Sequence, residues 1–491
     1  MTSTTDRPAV AAFAARPVAL VAGLLAAVLT ALSWRYGFHR DELYFLVAGD
    51  HPAWGYVDQP PLTPLAARLS TAVFGDSPAG LRVVATAACA AIVVLAAAVC
   101  RELGGSRRAQ VLAAVFTAVS GFVLAVGHMV STATFDVLVW LAVCCLVLRL
   151  LRTGDGRWWL AVGAAVGVGL ENKYLVALLV LALLGGLLLT GPRRVLRGWW
   201  PVAGAALALA LALPNLWWQA RHGWPQLTVA GGISADDGTE NRLLFVPEQL
   251  LYLSPVFVPV WIAGGLRLWR DPELRRARAF APAYLILCVL VLASGGKPYY
   301  ALPLLIVLLA AGCERYAARP RDTIVPVALT AVLTALLSLP VLPPGAVSVV
   351  NAVNPEQGEQ IGWPRLADAV AVAWARIPEG DRGRAVLLAQ NYGEAGALAH
   401  YGPSRGLPAP YSGHMGFHDW GPPPDSADGP VLLVRQREAD GIEAHLKGCR
   451  QVGTVDNGHG VDNEEQGAAI VLCTGPAAPW STLWPSLRHF Y

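Results

Sequence analysis

Leu81 to Cys100 reads LRVVATAACAAIVVLAAAVC. A helix needs about 20 mainly apolar residues to cross the hydrocarbon core of a bilayer, and this run supplies them without interruption. Outward from it lie ten similar runs: Val18 to Trp34, Ala109 to Gly127, Thr132 to Leu151, Trp158 to Leu170, Tyr174 to Thr190, Trp199 to Trp218, Gln249 to Trp269, Phe280 to Ala293, Tyr299 to Cys313 and Thr323 to Leu342. Trp158 to Leu170 and Phe280 to Ala293 are short for a spanning helix. The composition agrees: 55% of the 491 residues are hydrophobic and 14% are charged, against roughly 25% charged in ordinary soluble domains. A soluble enzyme is excluded. The reading is a mainly α, polytopic membrane protein of about eleven transmembrane helices. A net charge of +3 is too mild to imply nucleic acid.

Retained Lys and Arg mark cytoplasmic loops. Arginines gather in alternate loops: Arg7 and Arg16; Arg101, Arg107 and Arg108; Arg152 and Arg157; Arg193, Arg194 and Arg197; Arg267, Arg270, Arg275, Arg276 and Arg278; Arg315, Arg319 and Arg321. This predicts a multi-pass protein of the cytoplasmic (plasma) membrane with its N-terminus inside. The first run shows no clear small-x-small cleavage site and is read as an uncleaved helix. Residues 1–342 form the membrane part, with a long first outer loop, 35–80. From Pro343 hydrophobicity falls, predicting an extracytoplasmic soluble α/β domain over 343–491. Its apolar runs Ala385 to Ala389, Pro430 to Val434 and Ala468 to Leu472 read as strands, and Leu366 to Ala375 and Glu438 to Leu446 as helices. Six cysteines lie in or beside membrane runs. Cys449 and Cys473 fall outside, where a disulfide persists.

The chain lacks GxxxxGK, a strand-linked GxGxxG and any Asp-x-Asp pair, so the usual phosphate cradles are missing. Gly163 and Gly167 suit close helix packing. Polar residues instead collect at the predicted outer ends of the helices: Asp41 and Glu42, then Tyr56, Asp58 and Gln59 in the first loop, His128, Asp136, Lys173, Asn215, Gln219 and Lys297. Each has an ordinary explanation. Asp41 and Glu42 could be a solvated pair, Asp136 a complement to a helix N-terminus, Asp58 turn chemistry and His128 a packing residue. Lysine usage weighs the other way. Only three of 37 basic residues are lysines, Lys173, Lys297 and Lys447, and two of these stand at the outer boundary, where boundary charges are functional candidates. A compact ammonium suits a phosphate as a point charge, and a carboxylate can take the proton of an attacking hydroxyl. The pattern points to transfer between a hydroxyl acceptor and a membrane-held, phosphate-linked donor.

In their order and shared side, Asp41-Glu42, Tyr56-x-Asp58-Gln59-Pro60-Pro61, Phe135-Asp136, Asn172-Lys173-Tyr174, Pro214-Asn215 with Trp218-Gln219, and Lys297-Pro298-Tyr299-Tyr300 resemble glycosyltransferase family 39 of the GT-C superfamily, with its aminoarabinose-lipid A transferase and protein O-mannosyltransferase relatives. The resemblance implies inverting transfer from a polyprenyl-phosphate sugar to an envelope lipid, glycan or protein on the outer side of the membrane. Asp41 would be the general base, with Glu42 and Asp58 beside it. Tyr56 and Gln59 would shape the cavity, Asp136 would face the donor, and Lys173 and Lys297 would approach its phosphate. His128, Asn215 and Tyr300 complete the substrate-binding candidates. Aminoarabinose-transferring members resemble Tyr-x-Glu-Lys-Pro-Pro where this chain has Asp58-Gln59, which argues against lipid A modification. No cofactor is assigned and a divalent cation is left open; no metal ligand set is read, because His414 and His418 sit among glycines. The competing class is a transporter or flippase of lipid-linked sugar, for which inverted repeats and broken helices would be the signs; the sequence displays neither.

Overall fold

The computed structural model describes residues 10–437 and 441–490; Arg7 lies outside them. The membrane part is built from sixteen α-helices: α1 (Ala15–Leu32), α2 (Arg40–Asp50), α3 (Leu62–Phe74), α4 (Pro78–Glu102), α5 (Arg107–Ala118), α6 (Gly121–Gly127), α7 (Thr132–Thr153), α8 (Trp158–Leu170), α9 (Val176–Thr190), α10 (Trp200–Arg221), α11 (Pro225–Asp236), α12 (Gly238–Leu251), α13 (Val258–Arg270), α14 (Phe280–Ser294), α15 (Leu302–Ala317) and α16 (Ile324–Ser338). Every predicted apolar run falls on one or two of them. Six segments are long and apolar enough to cross a membrane: α1, α4, α7, α10, Pro298–Ala317 and Arg321–Ser338. α8, α9 and α14 are apolar but shorter. Close packing stands where the glycines suggested it. A Cβ on Gly163 of α8 would collide with the backbone of Gly204 on α10, and one on Gly167 would meet Leu211 at 2.7 Å.

The two remaining runs correct the expectation of unbroken helices. α5 and α6 are bent by 61°, and α12 and the following Pro255–Arg270 segment by 72°. The backbone groups freed at the breaks find partners, as a lipid environment demands. The Phe122 N–H donates to the Tyr252 carbonyl at 3.0 Å, joining one break to the other. α16 closes the rest: Thr334 Oγ1 donates to the Val119 carbonyl at 2.8 Å, and Ser254 and Thr330 share a hydroxyl hydrogen bond of 3.0 Å. Ser254, at φ +143° just before Pro255, is the strained residue of the second break.

Two helices, α2 and α3, fill the first loop. α2 starts at a capping box in which His39 Nδ1 accepts from the Asp41 N–H and Glu42 accepts from the His39 N–H. After α16 the chain builds a five-stranded sheet in the order Tyr411–Ser412, Val386–Ala389, Val431–Arg435, Ala469–Cys473, Arg450–Thr454. The first three strands run parallel and the last two pairings are antiparallel. The central strands come from the three predicted apolar runs. Helices Trp363–Trp374 and Tyr392–Tyr401 pack with the sheet in one core with α2. The helix predicted at 438–446 does not form as read. Residues 438–440 lie outside the described residues, and the rest is a 3-10 turn, Ile442–His445, entering a short strand. Cys449 and Cys473 are joined in a disulfide.

Candidate active site

α2, α7 and the turn after α8 converge on one polar cluster. Asp41 lies in the first turn of α2, where the helix dipole favours a carboxylate, and its side chain is 34% exposed. Its Oδ1 accepts from the Tyr392 hydroxyl at 2.8 Å. Asp58, half-buried in the turn before α3, accepts from the Tyr44 hydroxyl at 2.8 Å. Burial pushes its pKa up to about 6, against the pull of the Tyr44 hydrogen bond, while Asp41 raises it and Lys173 lowers it. Asp136, buried on α7, accepts from Asn172 Nδ2 at 2.8 Å with one oxygen and leaves Oδ2 buried without a partner. Asn172 in turn accepts from the Thr63 hydroxyl at 2.8 Å, tying α3 to α7.

Lys173 is the cation of the cluster. Its ammonium stands 5.6 Å from the centroid of the Tyr300 ring and 3.5 Å from Thr132 Oγ1. Burial opposes its charge, but Tyr300, Asp136, Asp41 and Asp58 outweigh that and raise its pKa. One ammonium thus lies within electrostatic reach of three carboxylates. Such a site can hold an anionic group beside a proton acceptor.

Other residues picked from the sequence have different surroundings. Glu42 is fully buried and bound on both oxygens: Oε1 accepts from Arg82 Nε and the Val130 N–H, both at 2.9 Å, and Oε2 from Arg82 Nη2 at 2.7 Å and the His39 N–H at 2.8 Å. It anchors α2 to α4 and lacks an open lone pair for an acceptor. His128 meets the same Arg82 at 3.2 Å. Tyr56 donates its hydroxyl to the Ala48 and His51 carbonyls, Gln219 donates to the Tyr56 carbonyl, and Asn215 donates to the Trp54 carbonyl while accepting from Tyr174. These three clamp the first loop against α10. Lys297 is paired with Asp237 at 2.8 Å. Gln59 is 2% exposed, and among the described residues neither atom of its side-chain amide has a partner. Among the described residues no group of three or more His, Cys, Asp or Glu side chains is placed to hold a metal ion.

The sequence reading missed Arg82 and Tyr392. Arg82 is fully buried and donates to the Ser33 and Gly37 carbonyls and Gln360 as well as to Glu42. Its signal was an arginine at the end of a span where the topology puts few basic residues. Tyr392 sits in the far part of the chain and carried no such signal.

Residues 58–218 match the family described as dolichyl-phosphate-mannose-protein mannosyltransferase. The structure is similar to that of ArnT from Cupriavidus metallidurans bound to undecaprenyl phosphate, at 15% identity and a TM-score of 0.58, over 92% of this chain and 97% of that one. ArnT in the apo state gives 14% and 0.59 over the same shares. The chain shares the fold of ArnT. No curated protein matches the sequence. The segment matched by the family opens at Asp58, so it includes Asp58, Asp136 and Lys173 but begins after Asp41.

Proposed function

We propose that this chain is a membrane glycosyltransferase that moves a sugar from a polyprenyl-phosphate donor to an acceptor hydroxyl, with inversion. The observation that carries the reading is the Lys173 ammonium beside Thr132 and the Tyr300 ring, its charge favoured by Tyr300, Asp136, Asp41 and Asp58, on a fold shared with a protein bound to undecaprenyl phosphate. Lys173 contacts the donor phosphate and offsets the charge that grows there as the bond to the sugar breaks. Lys297, once released from Asp237, is a second phosphate contact. Asp41 takes the proton of the acceptor hydroxyl as its oxygen attacks the anomeric carbon. Asp58 keeps a neighbouring carboxylate beside it, while Asp136 Oδ2 and the Gln59 amide orient the donor. Glu42 serves through Arg82 as the anchor of the helix that carries the base.

The orientation, N-terminus inside and residues 343–491 outside as a domain of their own, places the reaction on the outer side of the cytoplasmic membrane. The acceptor is an envelope lipid, glycan or protein. The two broken helices favour a second reading, a flippase of lipid-linked sugar. Sealed vesicles loaded with labelled polyprenyl-phosphate sugar separate the two: transfer to an acceptor supports the enzyme, and translocation without transfer supports the flippase. Asp41→Asn is expected to lose about 100-fold or more in turnover with donor binding retained; near-wild-type turnover would move the base to Asp58.

A further inference from the structure

One helix of the C-terminal part reaches into the cluster. Tyr392–Tyr401 begins at an Asn391 capping box and lies across α2 so closely that a Cβ on Gly396 would stand 3.0 Å from Leu43 Cβ, and one on Gly393 3.2 Å from Arg40 Cβ. This contact puts the first residue of the helix, Tyr392, over α2. The Tyr392 ring lies 5.2 Å from that of Tyr44 and beneath the Arg40 guanidinium at 4.8 Å, and its N–H donates to His414 Nδ1 at 3.3 Å. Ring and backbone are fixed, so the hydroxyl direction is fixed too. It ends on Asp41 Oδ1. Tyr44, touching it, ends on Asp58 Oδ1 and also accepts from the Gly416 N–H at 3.3 Å, again from the C-terminal part.

We propose that Tyr392 is a positioning residue for the transfer reaction, and that residues after 343 are therefore a working part of the reaction centre. The inference rests on the reading of Asp41 as general base. With Oδ1 engaged by the Tyr392 hydroxyl, Oδ2, which lies 4.0 Å from His39 Nδ1, is the oxygen left for the acceptor. The acceptor O–H proton passes to Oδ2 as the acceptor oxygen forms its bond to the anomeric carbon. The bond from that carbon to the donor phosphate oxygen breaks, and the phosphate leaves with the electron pair. Tyr392 keeps its own proton throughout.

The test uses the full chain in vesicles with a labelled polyprenyl-phosphate sugar, comparing Tyr392→Phe, Asp41→Asn and wild type. Phenylalanine retains the ring contacts with Tyr44 and Arg40 and removes only the hydroxyl. The expected result is a turnover about tenfold lower, with a donor KM within twofold of wild type and an unchanged melting temperature. Tyr392→Gln, which gives up the ring but keeps a donor, checks the same point should the Phe variant fail to accumulate, and is expected to keep more than a tenth of wild-type turnover. A Phe variant with wild-type turnover, beside an inactive Asp41→Asn, overturns the positioning role alone. A Phe variant that loses turnover and melting temperature together also overturns it, as plain packing. Wild-type turnover in Asp41→Asn instead overturns the base assignment on which the inference rests.

Discussion

Replacing Arg82 with methionine keeps much of the side-chain volume and removes a buried guanidinium that makes six hydrogen-bond contacts, two of them to Glu42. Both partners are fully buried, so water cannot take over the abandoned carboxylate. Glu42 would keep only the His39 and Val130 N–H donors. Breaking a buried pair from one side costs about 3–5 kcal/mol. Near the middle of that range the ratio of folded to unfolded protein falls by about a thousandfold, at 1.4 kcal/mol per decade. The second change, Glu42→Gln, leaves an amide oxygen for the backbone donors and removes the stranded charge. Arg82→Met/Glu42→Gln is therefore expected to be more stable than Arg82→Met alone, by at least about 1 kcal/mol, within the range found for directly coupled residues. Unfolding of the purified protein by SDS, followed by tryptophan fluorescence, measures all four members of the cycle. A single-variant loss under about 1 kcal/mol, or losses that simply add, would refute the assignment of Glu42 to the scaffold.

Lys173→Met is expected to weaken binding of a polyprenyl-phosphate donor and slow transfer more than Lys297→Met does, because Lys297 already has Asp237 as a partner; isothermal binding and turnover of the two variants check the order. Asp58 is held above its unfolded pKa, so between about pH 4 and pH 6 the folded state binds the extra proton and stability falls as pH rises through that window. Asp58→Asn should flatten this slope in unfolding curves, and an unchanged slope would assign it to another group. The Cys449–Cys473 disulfide closes a 24-residue separation and should add roughly 3 kcal/mol in the chain-entropy model. Mass spectrometry of unreduced protein from native membranes checks the bond, and two alkylatable thiols would count against both the bridge and an outer location for the C-terminal part.

The helices were legible because lipid-crossing runs are a one-dimensional signal: length and hydrophobicity suffice. The breaks at Val119-Ser120 and Tyr252-Leu253-Ser254 were not, since each is stabilised by the other break and by hydroxyls on α16. Asp41, Asp58, Asp136 and Lys173 stood out as polar residues at apolar boundaries. Asp41 and Glu42, adjacent in sequence, could not be told apart there. What separates them is Arg82, forty positions away, and Tyr392, 351 positions away. Tyr56, Asn215 and Gln219 were singled out for polarity, yet they hold backbone carbonyls of the first loop, a use that only tertiary contact reveals.

Arg82 also constrains how the chain can be assembled during synthesis. A guanidinium on a membrane-spanning helix is expensive to insert unpaired. Glu42 leaves the ribosome forty residues earlier and can already be waiting when α4 arrives, as can the carbonyls of Ser33 and Gly37. Gln360 follows 278 residues later. The charge is thus neutralised early, from the N-terminal side, and its last ligand comes only after every membrane helix has been made. Insertion of α4 is therefore expected to be easiest with α2 already in place, and an error in the orientation of α1 is expected to strand Arg82 as well as misplace the loop that carries Asp41.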